Sequence, residues 1–216
     1  WKMNWKAVMA KRANQIMGSS LGSYSPIHPN DHVNMSQGSN DVIPNTMGVT
    51  AIKLTGELIE AIDELEGSLL GKAEEFKGVR KSARTHMQDA VPISLGQEFR
   101  AYASAIASGG KRITQADESL HRLFLGGTAV GTGLNAHPEY PERVLEHLET
   151  VTGLKLEGAG NFVEKTMFMT DFLSYMDALA ALSVDLVKIC GDLMLLSSGP
   201  RTGLGEISLP EVEPGS

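Results

Sequence analysis

Arg84-Thr85-His86-Met87-Gln88-Asp89 is denser in polar function than a connector between helices needs. The His86 imidazole could shuttle a proton or bind a carboxylate, while Thr85 and Gln88 offer hydrogen-bond donors. A structural histidine held in a turn is the competing reading, because an imidazole is readily engaged in local hydrogen bonds. A second cluster, Met35-Ser36-Gln37-Gly38-Ser39-Asn40-Asp41, precedes a helix whose start Pro44 marks. Hydroxyl, amide and backbone donors beside a positive helix end suit a carboxylate or a phosphate. Plain helix capping by Ser39, Asn40 or Asp41 explains the same residues. Gly126-Gly127-Thr128-Ala129-Val130-Gly131-Thr132-Gly133 has the look of a phosphate loop, yet it lacks the Lys-Ser/Thr pair and no strand is expected before it. Tight turning and close helix approach account better for its glycines.

These loops need helices to hold them. Over residues 46–76, Leu58, Ile62, Leu65, Leu69 and Phe76 recur at steps of three, four and seven, which predicts one long helix. Phe172, Met176, Leu179, Leu186, Cys190 and Leu193 repeat the pattern before Ser198-Gly199-Pro200 ends it. Residues 93–121 read as a third helix, and residues 140–152 as a shorter amphipathic one closed by Gly153. Strand signals are nearly absent, so the expected fold is all-α, a long-helix bundle, with residues 1–216 in one domain. Residues 18–44, 81–92, 126–138 and 199–216 are expected to be loops. On this reading Cys190 is a buried, inert thiol and Met167, Met169, Met176 and Met194 fill the core.

Composition narrows the function. The 216 residues carry 19 basic and 26 acidic side chains, a net charge of −7, which disfavours a nucleic-acid partner. Aromatic residues at 6% are too few for stacking along single-stranded nucleic acid. The single cysteine forms no internal disulfide, and the histidines show no paired metal-ligand spacing, so no metal site is expected. No apolar run approaches the roughly 18 residues of a membrane span, and the first residues lack the zones of a signal peptide, so no membrane partner and a cytoplasmic location are expected. The opening on Trp1 and the end at Pro214-Gly215-Ser216 suggest a fragment.

Taken in order, His28-Pro29-Asn30-Asp31-His32-Val33-Asn34, Ser39-Asn40-Asp41, residues 84–95 with Gly96-Gln97-Glu98, residues 126–135, and Ser198-Gly199-Pro200-Arg201 with Glu213-Pro214-Gly215-Ser216 resemble blocks of the aspartase and class II fumarase family. The resemblance covers nearly the whole sequence. It implies the long-helix bundle of the fumarase/aspartase type, here a central fragment, in a homotetramer whose active sites are shared among three subunits. It further implies a small dicarboxylate or amino-acid substrate and no metal or organic cofactor. In that family a serine in a mobile Gly-Ser-Ser-x-Met-Pro-x-Lys-x-Asn loop removes a proton from the carbon next to a carboxylate, and its first serine matches Ser216. By resemblance Ser216 and His86 are the catalytic candidates, Thr85, Ser39 and Asn40 contact the substrate, and His28, Asn30 and Asp31 form a candidate second carboxylate site.

Two departures stand out. Gly38 occupies a position where the family usually has a substrate-binding serine, and Trp1-Lys2-Met3-Asn4-Trp5-Lys6-Ala7 departs from an asparagine-rich pattern. Residues 95–101, 188–190 and 195–201 are more similar to aspartases. Ser39 in place of a threonine, the His28 block and residues 126–140 are more similar to fumarases. The reading taken is aspartate ammonia-lyase, with class II fumarate hydratase and a noncatalytic scaffold of the same fold as alternatives.

Overall fold

The structure is a computed structural model that describes residues 2–213; Ser216 lies outside the described residues. Its elements are α1 (Lys2–Ile16), a π-helical turn (Pro29–Val33), α2 (Ser39–Glu75), β1 (Arg80–Thr85), β2 (Gln88–Ser94), α3 (Leu95–Asp117), a 3-10 turn (Glu118–His121), β3 (Arg122–Leu123), α4 (Tyr140–Thr152), β4 (Glu157–Gly158), α5 (Phe162–Met167) and α6 (Thr170–Leu196). Long helices dominate, as expected. The chain divides into two compact units, Trp1–Leu54 with Asp117–Leu173, and Thr55–Ala116 with Ser174–Ser216.

In the first unit Leu120, Leu123, Phe124, Leu125 and Leu156 form the core, and β3 pairs parallel with β4. Asn14, fully buried on α1, donates to the carbonyls of Ser23 and Ile27 at 2.8 Å and accepts from the Ile27 N–H at 2.7 Å. One side chain thus satisfies three backbone groups of a loop that has no ladder of its own. Helix α4 ends where Gly153, at φ 72°, turns its N–H onto the Glu149 carbonyl. Helix α2 begins at Ser39, ahead of the start expected at Pro44, which lies inside it. The proline forfeits one intrahelical bond, and the side chains of Asp41 and Asn45 anchor the turns on either side of it.

In the second unit small residues let the helices close up. A Cβ on Gly96 would sit 2.3 Å from the Ala73 carbonyl oxygen, and one on Gly109 would sit 2.6 Å from Leu182 Cδ1. Ile62, Leu69, Phe99, Ile106, Ile113, Leu182 and Ile189 fill the space between these approaches, and the Thr55 and Tyr175 hydroxyls meet at 2.8 Å inside it. Such interdigitation of long apolar stripes is what stabilises a bundle.

Three expectations need correction. Residues 81–92 are not a loop: β1 and β2 form an antiparallel hairpin whose turn is His86-Met87. Cys190 is exposed, because its neighbour Ile189 takes the buried position on α6. Met167, Met169, Met176 and Met194 are 67%, 45%, 58% and 69% exposed, so they are not core filler in this chain. On α6 the buried residues are Tyr175, Ala178, Leu182, Ile189 and Leu196, a stripe beside the expected one.

Candidate functional site

The candidate residues fall on three supports. Ser39 and Asn40 are exposed on the first turn of α2, directly before a buried carboxylate. Asp41, with no exposed surface, accepts through Oδ1 from the Gly38 N–H at 2.8 Å and through Oδ2 from the Gly126 and Thr128 N–H groups, both at 3.1 Å. Asn45 adds a bond from the Phe124 N–H at 3.0 Å, and the Asn40 amide donates to the Ala129 carbonyl at 2.7 Å. The glycine loop is therefore fastened to the start of α2 by side chains of α2 itself. Asp41 is more than a cap, and its role reached beyond what capping preferences could disclose. A Cβ on Gly38 would meet the Thr128 carbonyl carbon and oxygen at 2.8 Å, so the loop's approach explains glycine there.

Cations from α1 border the same start. Lys2 Nζ donates to the Gly38 carbonyl at 2.5 Å, and burial pulls its ammonium below the ordinary lysine value against the pull of Asp41. Lys6, 6% exposed, reaches Asn30 Oδ1 at 3.4 Å. Both lie in the opening block whose pattern gave no contacts to assign. A hollow of about 290 Å³ in the same unit is lined by Val42, Val49, Leu125, Tyr140, Val144 and Leu148 among others, an apolar wall that does not suit a dicarboxylate.

His28, Asn30 and Asp31 share one turn. His28 Nδ1 caps the π-helical turn, lying 3.3 Å from the Asn30 and Asp31 N–H groups and 3.2 Å from Asp31 Oδ2. The His28 N–H in turn donates to His32 Nδ1 at 2.9 Å. Asn30 and Asp31 are exposed, so the three are brought together with polar atoms at the surface.

Thr85 and His86 stand at the apex of the hairpin, both exposed. His86 and Met87 have φ 49° and 60°, the left-handed pair of a tight two-residue turn that normally selects Asn-Gly. Holding two side-chain-bearing residues there costs on the order of 1 kcal/mol each, a strain that persists only where the flanking strands impose it. The His86 ring has no hydrogen-bond partner among the described residues. That arrangement presents an imidazole outward and does not fit a histidine held by its own turn.

Below the apex lies a cluster that no sequence motif announced. Lys81 Nζ donates to Glu98 Oε1 and Oε2 at 3.0 and 2.8 Å and pairs with Glu206 Oε2 at 2.7 Å; Arg84 pairs with Glu206 Oε1. The Arg84 hydrogen bond holds the Glu206 carboxyl below the usual carboxylate range, against burial and with Lys81 assisting. The signal that could have found it, alternating charge on a strand, is broken by a bulge between Ser82 and Arg84.

A family model described as "Lyase" matches residues 1–216. The chain is 44% identical over 214 residues to aspartate ammonia-lyase of Bacillus subtilis, covering 99% of this chain and 45% of that protein. It is 47% identical over 215 residues to class II fumarate hydratase of Methylorubrum extorquens, covering 99% and 46%. Among solved structures it resembles fumarate lyase:delta crystallin from Brucella melitensis bound to cobalt, with TM-score 0.96, 42% identity, and coverage of 100% of this chain and 47% of that one. The class II fumarase of Schistosoma mansoni gives TM-score 0.96 at 34% identity, with coverage of 100% and 48%. The chain spans about half the length of the curated relatives it matches.

Proposed function

Since the chain belongs to the lyase family of the aspartases and class II fumarases, we propose that the complete protein is an aspartate ammonia-lyase, converting L-aspartate reversibly to fumarate and ammonia. The observation that carries a catalytic reading is the hairpin apex, where a left-handed turn holds Thr85 and His86 outward with the imidazole unpartnered among the described residues. In this proposal Ser216 takes the proton from the carbon beside a carboxylate. The doubly charged aci-carboxylate that results is stabilised by donors placed before the reaction begins. Thr85, His86, Ser39 and Asn40 supply contacts to the substrate, and collapse of the intermediate expels ammonia. His28, Asn30 and Asp31 are proposed as a second carboxylate site.

The proposed assembly is a homotetramer with shared sites. Leu173, Met176, Val187, Cys190 and Met194 form an exposed heptad-spaced stripe along α6, a surface that helices of other subunits would cover. The proposed location is the cytoplasm; among the described residues no helix is long and apolar enough to cross a membrane.

Fumarate hydratase is the second reading, favoured by Ser39 and by an identity of 47% to a class II fumarate hydratase beside 44% to an aspartate ammonia-lyase. Fumarate absorbance with L-aspartate and with L-malate, with and without chelator, separates the readings. Aspartate turnover exceeding malate turnover, unaffected by chelator, is expected; malate turnover alone would reverse the assignment, and silence with both would leave a scaffold. Ser216→Ala in the complete protein should stop exchange of the abstracted hydrogen with deuterated solvent while the oligomer persists. Undiminished exchange would give the base role to another residue.

A further inference from the structure

We infer that Glu206 is a positioning residue for the elimination: its carboxylate fastens the hairpin that carries Thr85 and His86 to the root of the segment that runs on to Ser216. The inference rests on the proposed function and adds to it a residue that touches no substrate. Lys81 and Arg84 are three positions apart, and on a regular strand they would point to opposite faces. The bulge between Ser82 and Arg84 brings both to one side, where they take the two oxygens of one carboxylate. Lys81 is 9% exposed on its side chain and is gripped from α3 by Glu98, so the clamp is tied to the bundle and its four charges cancel.

The backbone around Glu206 shows why the clamp sits at a root. The Gly205 N–H donates to the Ser198 carbonyl at 2.7 Å and the Leu204 N–H to Ser198 Oγ at 3.0 Å, closing a loop directly after α6. The N–H groups of Glu206 and Ile207 then return to the Leu196 carbonyl at 2.8 and 3.3 Å. Residues 208–213 are exposed, and Glu206 is the last residue along the described chain with a paired side chain. At the other end of the clamp Arg84 is next to Thr85 and two residues from the strained turn at His86-Met87. A neutral, largely buried cluster is thus placed where it can hold the hairpin and the start of the segment after α6 at once.

The test uses the full-length protein with Glu206→Gln, Arg84→Met, Arg84→Lys and the Glu206→Gln/Arg84→Met double variant. Amide hydrogen exchange without substrate should accelerate about tenfold or more in Glu206→Gln in two places together, residues 84–89 and residues 204–207, with circular dichroism and oligomeric state unchanged. With the preferred substrate, kcat should fall about tenfold or more while KM moves less than about threefold, because contacts remain but the reacting groups lose alignment. Arg84→Met should reproduce these effects, Arg84→Lys should restore most of the rate, and the double variant should be no slower than either single one. Faster exchange with wild-type kcat would reduce the cluster to a structural brace and overturn the positioning role, as would exchange that changes in only one of the two segments. If Glu206→Gln fails to fold, Arg84→Met decides alone. A wild type inert toward both aspartate and malate would break the proposed function instead, and unchanged exchange would then refute the clamp on its own terms.

Discussion

The start of α2 and the apex of the hairpin both carry candidate substrate contacts, yet they are built in opposite ways. At the first, Ser39 and Asn40 ride on a turn whose next residue, Asp41, is fully buried and accepts three backbone N–H bonds. Its geometry is fixed from beneath by a hydrogen-bond network that also shapes the glycine loop. At the second, Thr85 and His86 stand on two largely exposed strands with little apolar packing, in a turn that strains two residues with side chains. Its geometry is imposed from the base, by the ladder and the Lys81, Arg84, Glu98 and Glu206 cluster. A buried network gives stiffness at the cost of tolerance to substitution, whereas a tethered apex can change its side chains cheaply and still lose function when the tether goes.

The sharpest way to break that contrast is Asp41→Ala. Three backbone donors would lose their acceptor, two of them to Asp41 Oδ2 in the interior of the unit, and at roughly 1–3 kcal/mol for each unsatisfied group the loss should be about 3 kcal/mol or more. Denaturant unfolding of the complete protein measures it, and a midpoint equal to wild type would mean that water replaces the carboxylate at no cost. By contrast His86→Asn should leave the unfolding midpoint within about 0.5 kcal/mol of wild type. Its effect belongs to catalysis, where kcat/KM should fall roughly a hundredfold. A large stability loss with unaltered kcat/KM would return His86 to the structural reading.

Acid separates the two regions further, through Glu206. Its folded carboxyl titrates below the ordinary value, chiefly because of Arg84, so its contribution to stability is complete above the unfolded value of about 4.3 and is lost as pH falls through the lower folded value. The stability gap between wild type and Glu206→Gln should therefore stay constant from about pH 7 to pH 5 and narrow below about pH 4. Thermal unfolding across that range, at one ionic strength, gives the answer. A gap that widens on acidification would contradict the ion pairs with Lys81 and Arg84.

How much of this was legible depended on what the sequence encodes locally. Helix α4 was read residue for residue, because amphipathic spacing and Gly153 mark its body and its end. Ile62 and Leu69 of the expected α2 stripe also face inward, with Leu58 half-buried and Leu65 exposed beside them. The start of α2 was missed because Pro44 has the sign of a helix beginning, while Asp41 and Asn45, whose partners lie some 80 residues on, let the helix run through it. Helix α6 is apolar around most of its circumference, so spacing alone could not select the stripe of Tyr175, Ala178 and Leu182 over that of Met176 and Cys190. The hairpin escaped notice for a related reason: its strands alternate no apolar residues, and its turn lacks glycine. Thr85, His86, Ser39 and Asn40 could be picked by residue type, whereas Glu206 could not, since its partners Lys81 and Arg84 come from a distant strand that only the fold brings to it.

The smallest predicted effect probes the strain at the apex itself. Met87 holds φ 60°, a conformation that costs a side-chain-bearing residue about 1–2 kcal/mol. Met87→Gly removes that cost, and the greater freedom of glycine in the unfolded chain takes back about 0.5–1 kcal/mol. Met87 is 76% exposed, so little packing is lost. The net should be a stabilisation of about 0.5–1 kcal/mol, read as a slightly higher unfolding midpoint. If the strain serves to aim Thr85 and His86, the same variant should lose a few-fold in kcat/KM despite its greater stability, because a glycine turn samples more orientations. Asp41 permits no such trade, as every substitution there sacrifices buried bonds. A Met87→Gly protein that is both less stable and fully active would show that the left-handed turn is neither strained nor used, and the contrast between the two regions would then rest on burial alone.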